Sequence, residues 1–341
     1  MSIANTDSKI INTDKFSSHL RGKGIIVSEK KILITKYEGS LQSQDITEPL
    51  NCKGYGRIRH FRLGGNNSWP INPLPILPAA KALKLDKTSE IRAQVFQNSV
   101  CNWRCWYCFV DYDLLSGDPR HADFLTCDEL LDLYLLQENP PFIIDLTGGQ
   151  PDLTPEWVPW MMEALIKREL QDKIFLWSDD NLSNDYLWKF LTEDQINLLS
   201  SYKMYSRVCC FKGIDEESFS LNTKADPVLY KEQFNLCSRL IDLGLDLYCY
   251  ITVTARSTTS FGETIPRLFD KLQNISPLLP LRTVPLEIIE FTPLKDRMNE
   301  IFRDMIKGQY RAIEVWRKEL QRRFTFDQLN LPITEIDIRR K

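Results

Sequence analysis

The sequence predicts an α/β protein: an incomplete (β/α)6 barrel over residues 91–295, an amino-terminal extension over 1–90 and a carboxyl-terminal helix and tail over 296–341. Three observations carry this reading. Strand-length apolar runs alternate with helical stretches from about residue 91 onward, the sequence form of repeated βα units around a parallel sheet. Six such units can be counted, fewer than the eight of a closed barrel. The 341 residues suit one large core with an added segment better than one small domain.

Strands are expected at about 93–100, 142–147, 173–178, 204–211, 246–254 and 284–291, each followed by a helix, at about 126–138, 156–170, 184–199, 228–243, 262–273 and 297–322. Helix entrances agree. Thr154 before Pro155 reads as an N-cap with proline at the first helical position, and Thr126, Asn184 and Asp226 (before Pro227) stand at comparable places. The first 90 residues differ, with a polar start, short β-like runs at 24–28, 31–36 and 55–63, and the stretch 69–78, whose four prolines exclude a regular helix. That makes the extension a small β-rich cap or a buttress. Its polar cluster of Arg57, His60, Arg62, Asn66, Asn67 and Trp69 beside Gly64-Gly65 is too polar for pure core and is where specificity is expected.

Composition narrows the class. Apolar residues make up 43% and charged residues 26%, as in soluble globular chains, and a net charge of −3 gives no reason to expect nucleic acid as a partner. No membrane-spanning run and no signal-peptide core is present, so the expected setting is the cytoplasm, with no membrane partner. Nine cysteines, an odd number with three crowded between 101 and 108, read as metal ligands plus scattered thiols and not as a disulfide framework.

The crowded thiols stand in Cys101-Asn102-Trp103-Arg104-Cys105-Trp106-Tyr107-Cys108, directly after the first expected barrel strand. Thiolates are the usual ligands of iron–sulfur clusters, and three of them leave one iron of a cube open to another ligand. The competing readings are a Cys₃His zinc site with His121, although paired CxxC knuckles are missing, and three unrelated thiols on a tight loop. At the end of the second expected strand lies Leu146-Thr147-Gly148-Gly149-Gln150-Pro151, whose glycines let backbone approach a ligand closely at the carboxyl edge of the sheet.

The cysteine spacing, with Tyr107 before the third thiol, resembles the defining motif of the radical S-adenosylmethionine (SAM) superfamily. The glycine pair resembles its GGEP motif, with Gln150 where an acidic residue is common. The resemblance implies that Cys101, Cys105 and Cys108 hold one [4Fe–4S] cluster, and that SAM lies near Tyr107, Gly148, Gly149, Gln150 and Pro151. It extends to Ser178, Asp180 and Asn181 at the third strand end and Lys212 at the fourth, while the alternation of the fifth strand adds Thr252 near SAM or substrate. The segment around Lys212 looks like that of glycyl-radical-enzyme activases. The implied reaction is reductive cleavage of SAM to methionine and a 5′-deoxyadenosyl radical, which abstracts hydrogen from a small-molecule or protein substrate. The implied reductant is a flavodoxin- or ferredoxin-type protein. Two alternatives stand beside it: an activase acting on a partner protein, and a non-catalytic zinc-binding interaction module.

Strand parity adds two expectations. If Lys212 points into the barrel, so do Cys210, Val208 and Ser206, leaving Arg207 on the helix side in need of a partner or a bulge. Tyr248, Tyr250, Thr252 and Thr254 line the inside, while Cys249, Ile251 and Val253 meet helices. Cys209, Cys210, Cys237 and Cys249 read as small buried hydrophobes.

Overall fold

A computed structural model describes residues 10–64, 69–86 and 88–339. In chain order the strands are β1 (Ile25–Ile26), β2 (Lys31–Thr35), β3 (Gly56–Arg62), β4 (Glu90–Gln97), β5 (Ala122–Thr126), β6 (Ile143–Thr147), β7 (Phe175–Asp180), β8 (Tyr205–Phe211), β9 (Leu247–Ile251) and β10 (Thr283–Pro285). The helices are α1 (Thr13–Gly24), α2 (Ile76–Leu83), α3 (Cys127–Leu135), α4 (Trp157–Lys167), α5 (Tyr186–Phe190), α6 (Glu193–Ser201), α7 (Glu216–Thr223), α8 (Leu229–Asp242), α9 (Phe261–Ile275), α10 (Glu300–Arg323) and α11 (Phe326–Leu329).

Seven strands form one curled sheet in the order β10-β9-β8-β7-β6-β4-β3. The six from β4 to β10 run parallel and are the expected (β/α)6 half-barrel. The seventh, β3, comes from the amino-terminal extension and pairs antiparallel with β4. Its run was legible in the sequence, but its place on the barrel edge was not, because strand pairing is a long-range choice. A second sheet, β1-β2-β5, is antiparallel and lies outside the barrel.

Two layers of apolar side chains hold the sheet. On the convex side, Ile144, Leu146, Leu176, Cys209, Phe211, Cys249, Ile251 and Val253 pack against α3, α4, α8 and α9. On the concave side, Phe61, Ala93, Ile143, Phe175, Trp177, Val208, Tyr248 and Val284 form a separate core, closed at the amino end by Ile76 and Ala79 of α2. The barrel interior is therefore filled toward the amino ends of its strands, which leaves room at the carboxyl ends, where α/β folds bind ligands.

Several local readings change. Pro78 sits inside α2, contrary to the expectation of no helix up to that residue, because a proline in the first turn removes no needed hydrogen bond. The helix expected at 184–199 is two helices, broken where Thr192 starts a capping box with Gln195. Thr154 does not cap α4; its hydroxyl instead accepts from the Asn98 amide at 2.9 Å, and Glu156 holds the cap position. The last strand ends at Pro285, well short of residue 291. The helices α1 and α7 and the strand β5 were not expected; each is short and polar enough that tertiary contacts decide it.

Arg207 resolves the parity question without a bulge. It faces the convex side, fully buried, and its guanidinium donates to Asp152 Oδ2 at 2.8 Å and to the Tyr205 hydroxyl at 2.9 Å. Asp152 lies on the turn after the glycine pair, so this ion pair ties the β6 loop to β8. Replacing Arg207 with Met strands the Asp152 carboxylate in the core, and we expect a stability loss of about 3–5 kcal/mol, partly recovered in the Asp152→Asn/Arg207→Met double variant. Denaturant unfolding measures both; a loss below about 1 kcal/mol in the single variant contradicts the assignment.

Candidate functional site

The carboxyl ends of the central strands, the cysteine loop, β3 and the segment 286–291 enclose a cavity of about 690 Å³. Its size falls within the ~300–1,000 Å³ usual for small-molecule sites. Cys101, Cys105 and Cys108 all line it, together with Tyr107, Gly149, Asn181 and Lys212.

The cysteine loop is held from behind. The amide of Cys101 donates to Leu115 O (3.0 Å), that of Arg104 to Thr223 O (3.1 Å) and that of Trp106 to Asn222 O (3.2 Å). The two tryptophans between the thiols turn away from the cavity: Trp103 meets Phe219 edge-on, and Trp106 stacks on Phe302 of α10 at 4.4 Å. Helix α1 covers the outside, where Ser17 accepts from the Asn102 amide at 2.8 Å. With its amides tied and its large side chains anchored outward, the loop presents its thiols to the cavity.

Burial pushes the Cys101 thiol up and that of Cys105 up to about 12. Burial also works against the Lys212 ammonium, but Cys210, Tyr107, Cys105 and Cys108 around it outweigh that and hold its pKa well above the ordinary value. Lys212 is the cation of this wall, and its placement is built from two fully buried amides. Gln233 of α8 accepts from the Lys212 amide (3.2 Å) and donates to Cys210 O (3.2 Å) and Asn181 O (3.1 Å). Asn222 of α7 donates to Lys212 O (2.8 Å) and Thr254 O (3.2 Å). Sequence reasoning missed both amides, although Gln233 shares the apolar stripe of Tyr230, Phe234 and Cys237, where a polar residue is itself a signal.

The glycine pair is dictated by contact as well as by conformation. Both residues have positive φ, +72° and +62°, and a Cβ on Gly149 would stand 2.4 Å from the carbonyl oxygens of Asn98 and Val100. The β6 loop thus presses against the chain entering the cysteine loop, and the Gln150 amide donates to Val100 O at 2.7 Å. The Gln150 side chain is fully buried: it donates to Asp180 Oδ1 (2.7 Å) and accepts from the Asn181 amide (2.9 Å). An amide can do both; a carboxylate can only accept. The departure from an acidic residue therefore has a partner here, and Gln150 acts as a link between strand ends with no exposure to the cavity.

Other expected site residues divide by strand parity. On β7 it is Trp177 and Asp179 that line the cavity, whereas Ser178 bonds the Tyr205 hydroxyl (2.7 Å) and Asp180 binds the Gln150 amide, both on the convex side. The sequence reading took the other face because 174–177 is apolar throughout and shows no alternation. Asn181 lies in the cavity wall, with its amide on Asn102 Oδ1 at 3.2 Å and its own Oδ1 buried without a partner. Thr252 shares a 3.0 Å hydrogen bond with the Tyr107 hydroxyl and so stands behind the tyrosine. Pro151 is buried at the start of the turn that carries Asp152. Tyr250 and Cys210 line the cavity, as their parity requires. Of the amino-terminal cluster, Arg57, His60 and Arg62 are cavity residues, while Trp69 is buried with its indole N–H on Pro285 O; Gly65, Asn66 and Asn67 lie outside the described residues.

This wall fits a [4Fe–4S] cluster and SAM. Three soft donors open on one cavity beside a cation, a close-approach glycine and the unpartnered Asn181 Oδ1. Among the described residues no three His, Cys, Asp or Glu side chains are gathered closely enough to hold a single metal ion. His121 is not part of the cavity lining. Among the described residues no helix is long and apolar enough to cross a membrane.

No protein-family model and no curated protein matches the chain. Among solved structures it is similar to Streptococcus suis SuiB bound to S-adenosylmethionine, with 17% identity over 65% of this chain and 46% of that one and a TM-score of 0.40. SuiB bound to its precursor peptide SuiA gives 16% identity over 52% and 36%, with a TM-score of 0.36. Native anSMEcpe with bound AdoMet and the Cp18Cys peptide gives 14% identity over 56% and 49%, with a TM-score of 0.39. The match covers less than half of each of those chains.

Two substitutions probe the strand-end contacts. Gly149→Ala combines a strained φ with a backbone clash and is expected to cost at least about 2 kcal/mol, while Gly22→Ala in α1, with open space around it, is neutral or stabilising. Gln150→Glu places a second carboxyl against Asp180, which raises the pKa of the pair in the folded state. Its stability is then expected to match the parent at low pH and to fall as pH rises through that raised value; equal stability at pH 5 and 8 relative to the parent contradicts it.

Proposed function

We propose that this chain is a radical SAM enzyme, an oxidoreductase that uses one cluster held by Cys101, Cys105 and Cys108 to abstract hydrogen from a small-molecule or protein substrate. The observation that supports it most is the common opening of these thiols, Tyr107, Gly149, Asn181 and Lys212 onto one cavity at the carboxyl end of a (β/α)6 half-barrel. The chain resembles the superfamily in the spacing of its cysteines, in the glycine pair one βα unit later and in this barrel.

Cys101, Cys105 and Cys108 would hold the cluster, which would supply the one electron, from a flavodoxin- or ferredoxin-type donor, needed to break the C5′–S bond of SAM with release of methionine and so to abstract hydrogen from the substrate. The chain's own residues have simpler tasks. Lys212 offers a cation to the carboxylate of SAM, and Asn181 Oδ1 an acceptor to its ammonium or ribose. Tyr107, braced by Thr252, and the backbone at Gly149 shape the space between cluster and substrate. Trp177, Phe109, Phe291 and Ile288 give that space apolar walls, which exclude water from a reactive carbon centre.

Anaerobic reconstitution with iron and sulfide, then electron paramagnetic resonance of the dithionite-reduced protein, tests the reading. The expected result is a [4Fe–4S] signal that shifts on adding SAM and is absent in Cys105→Ala. Lys212→Ala is expected to keep the signal but raise the SAM Kd by about tenfold, equivalent to ~1.4 kcal/mol. Stoichiometric zinc without a cluster overturns the proposal in favour of an interaction module.

A further inference from the structure

Strand β3 brings to the cavity two arginines that form no ion pair among the described residues. Its pleat turns Arg57, Arg59 and Phe61 inward, where Phe61 joins the concave core and the arginines line the cavity. Arg57 is only 8% exposed, yet among the described residues neither it nor Arg59 makes an ion pair, and Arg57 Nε has no hydrogen-bond partner. Rings stand where a carboxylate is expected: Tyr37 at 5.9 Å and Phe109 at 5.6 Å from the Arg57 guanidinium, and Phe61 at 4.2 Å from that of Arg59. Cation–π contacts of this kind orient a guanidinium without neutralising it, and a buried unpaired charge costs several kcal/mol.

The register accounts for the missing counterion. Arg57 lies opposite Val95 and Arg59 opposite Ala93 on β4, and Val95 in turn lies opposite Asp145 on β6. Two strand spacings, about 10 Å, separate the backbones of Arg57 and Asp145, with only small apolar side chains between them. Both carboxyl oxygens of Asp145 are buried without a partner. Burial, reinforced by neighbouring Asp179, pushes the Asp145 carboxyl well above the usual carboxylate range, while the charges of Arg59 and Arg57 pull it the other way across that gap. Of the acids on the cavity wall, Asp179 takes the Thr147 hydroxyl at 2.5 Å, Glu48 pairs with His60 and Arg92, and Glu287 takes the Tyr310 hydroxyl. The Arg57 side of the cavity therefore offers donors and positive charge, and the facing side offers Trp177 and Tyr250.

We propose that Arg57 and Arg59 bind the carboxylate or phosphate of a small anionic substrate, whose body lies against Trp177 and Tyr250 and whose reacting carbon faces the cysteine loop. The inference rests on the radical SAM reading for the reaction, but the binding it assigns is separable from it. Planar, forked guanidinium donors suit an oxyanion, and an anion gained here supplies the charge the fold leaves out.

The test uses the reconstituted full chain with SAM present and titrates benzoate, phenyl phosphate and the neutral benzamide by calorimetry. At least one of the two anions is expected to bind saturably and about tenfold or more tighter than benzamide, and the tighter one identifies the group as carboxylate or phosphate. Arg59→Gln, on the more exposed of the two arginines, and Arg57→Lys are expected to weaken that anion about tenfold while the SAM-shifted paramagnetic signal remains. Benzamide binding as tightly as both anions, no saturable binding of either anion, or anion affinity unchanged in both variants overturns the proposal. A cluster signal that persists in the variants but no longer responds to SAM also overturns it, because the arginines then serve SAM. Absence of any cluster in the parent protein counts against the radical SAM reading, and the anion titration still decides the subsite.

Discussion

The carboxyl ends of four parallel strands are locked together by one buried hydrogen-bond network centred on Gln150, and the geometry of the site depends on it. Because Gly149 has no Cβ, the β6 loop can reach the backbone leaving β4, where the Gln150 amide takes the carbonyl of Val100, next to the first cysteine. The Gln150 side chain then spans to Asp180 and Asn181 at the end of β7, Asn181 returns to Asn102 in the cysteine loop, and Arg207 on β8 holds Asp152 of the same β6 loop. Each link is fully buried, so water cannot substitute for a lost partner, and the members stabilise one another cooperatively. A site that must hold three thiols at fixed spacing needs such a frame.

The period of two along each strand distributes the chemistry. The convex face collects Ser178, Asp180, Tyr205 and Arg207, which are structural because they bond one another between sheet and helices. The concave face collects Trp177, Asp179, Cys210 and Tyr250, which line the cavity because the side-chain core fills the barrel toward its amino end. The same rule explains β3: alternation places Arg57 and Arg59 inside, while His60 and Arg62 form a rim network with Glu48 and Glu90. One sheet thus separates a polar frame from a polar site that are adjacent in sequence.

Helices contribute at second hand. Gln233 and Asn222 make no contact with the cavity, yet they set the backbone around Lys212 and Asn181 by satisfying carbonyls and an amide that the strand ends leave open. Similarly, α1 and α7 fix the cysteine loop from its outer side through Ser17, Asn222 and Thr223. Residues far from each other in the chain therefore share one task, which is to hold a loop whose own sequence, rich in tryptophan and cysteine, has no regular structure.

Much of this was readable from local signals. The half-barrel followed from the alternation of strand and helix periods, because these are properties of neighbouring residues. The cysteine spacing and the glycine pair needed no structure to be noticed, since a loop of thiols after a strand and a tight backbone approach are both written in short stretches. The inward face of β9 followed from its alternation at Tyr248 and Tyr250, whereas that of β8 followed only on the condition that Lys212 points inward, because Val208 to Phe211 is an apolar run. What only the tertiary structure decided is everything that depends on pairing distant segments. It turned β7 so that Trp177 and Asp179 face the cavity, gave Arg207 its carboxylate, made Gln150 a link instead of a ligand contact, and brought β3 to the barrel edge with two arginines that form no ion pair among the described residues. Sequence periodicity specifies which residues share a face, but an apolar run such as 174–177 fits either face, and the burial of a charge has meaning only once its partner, or the lack of one, is in place.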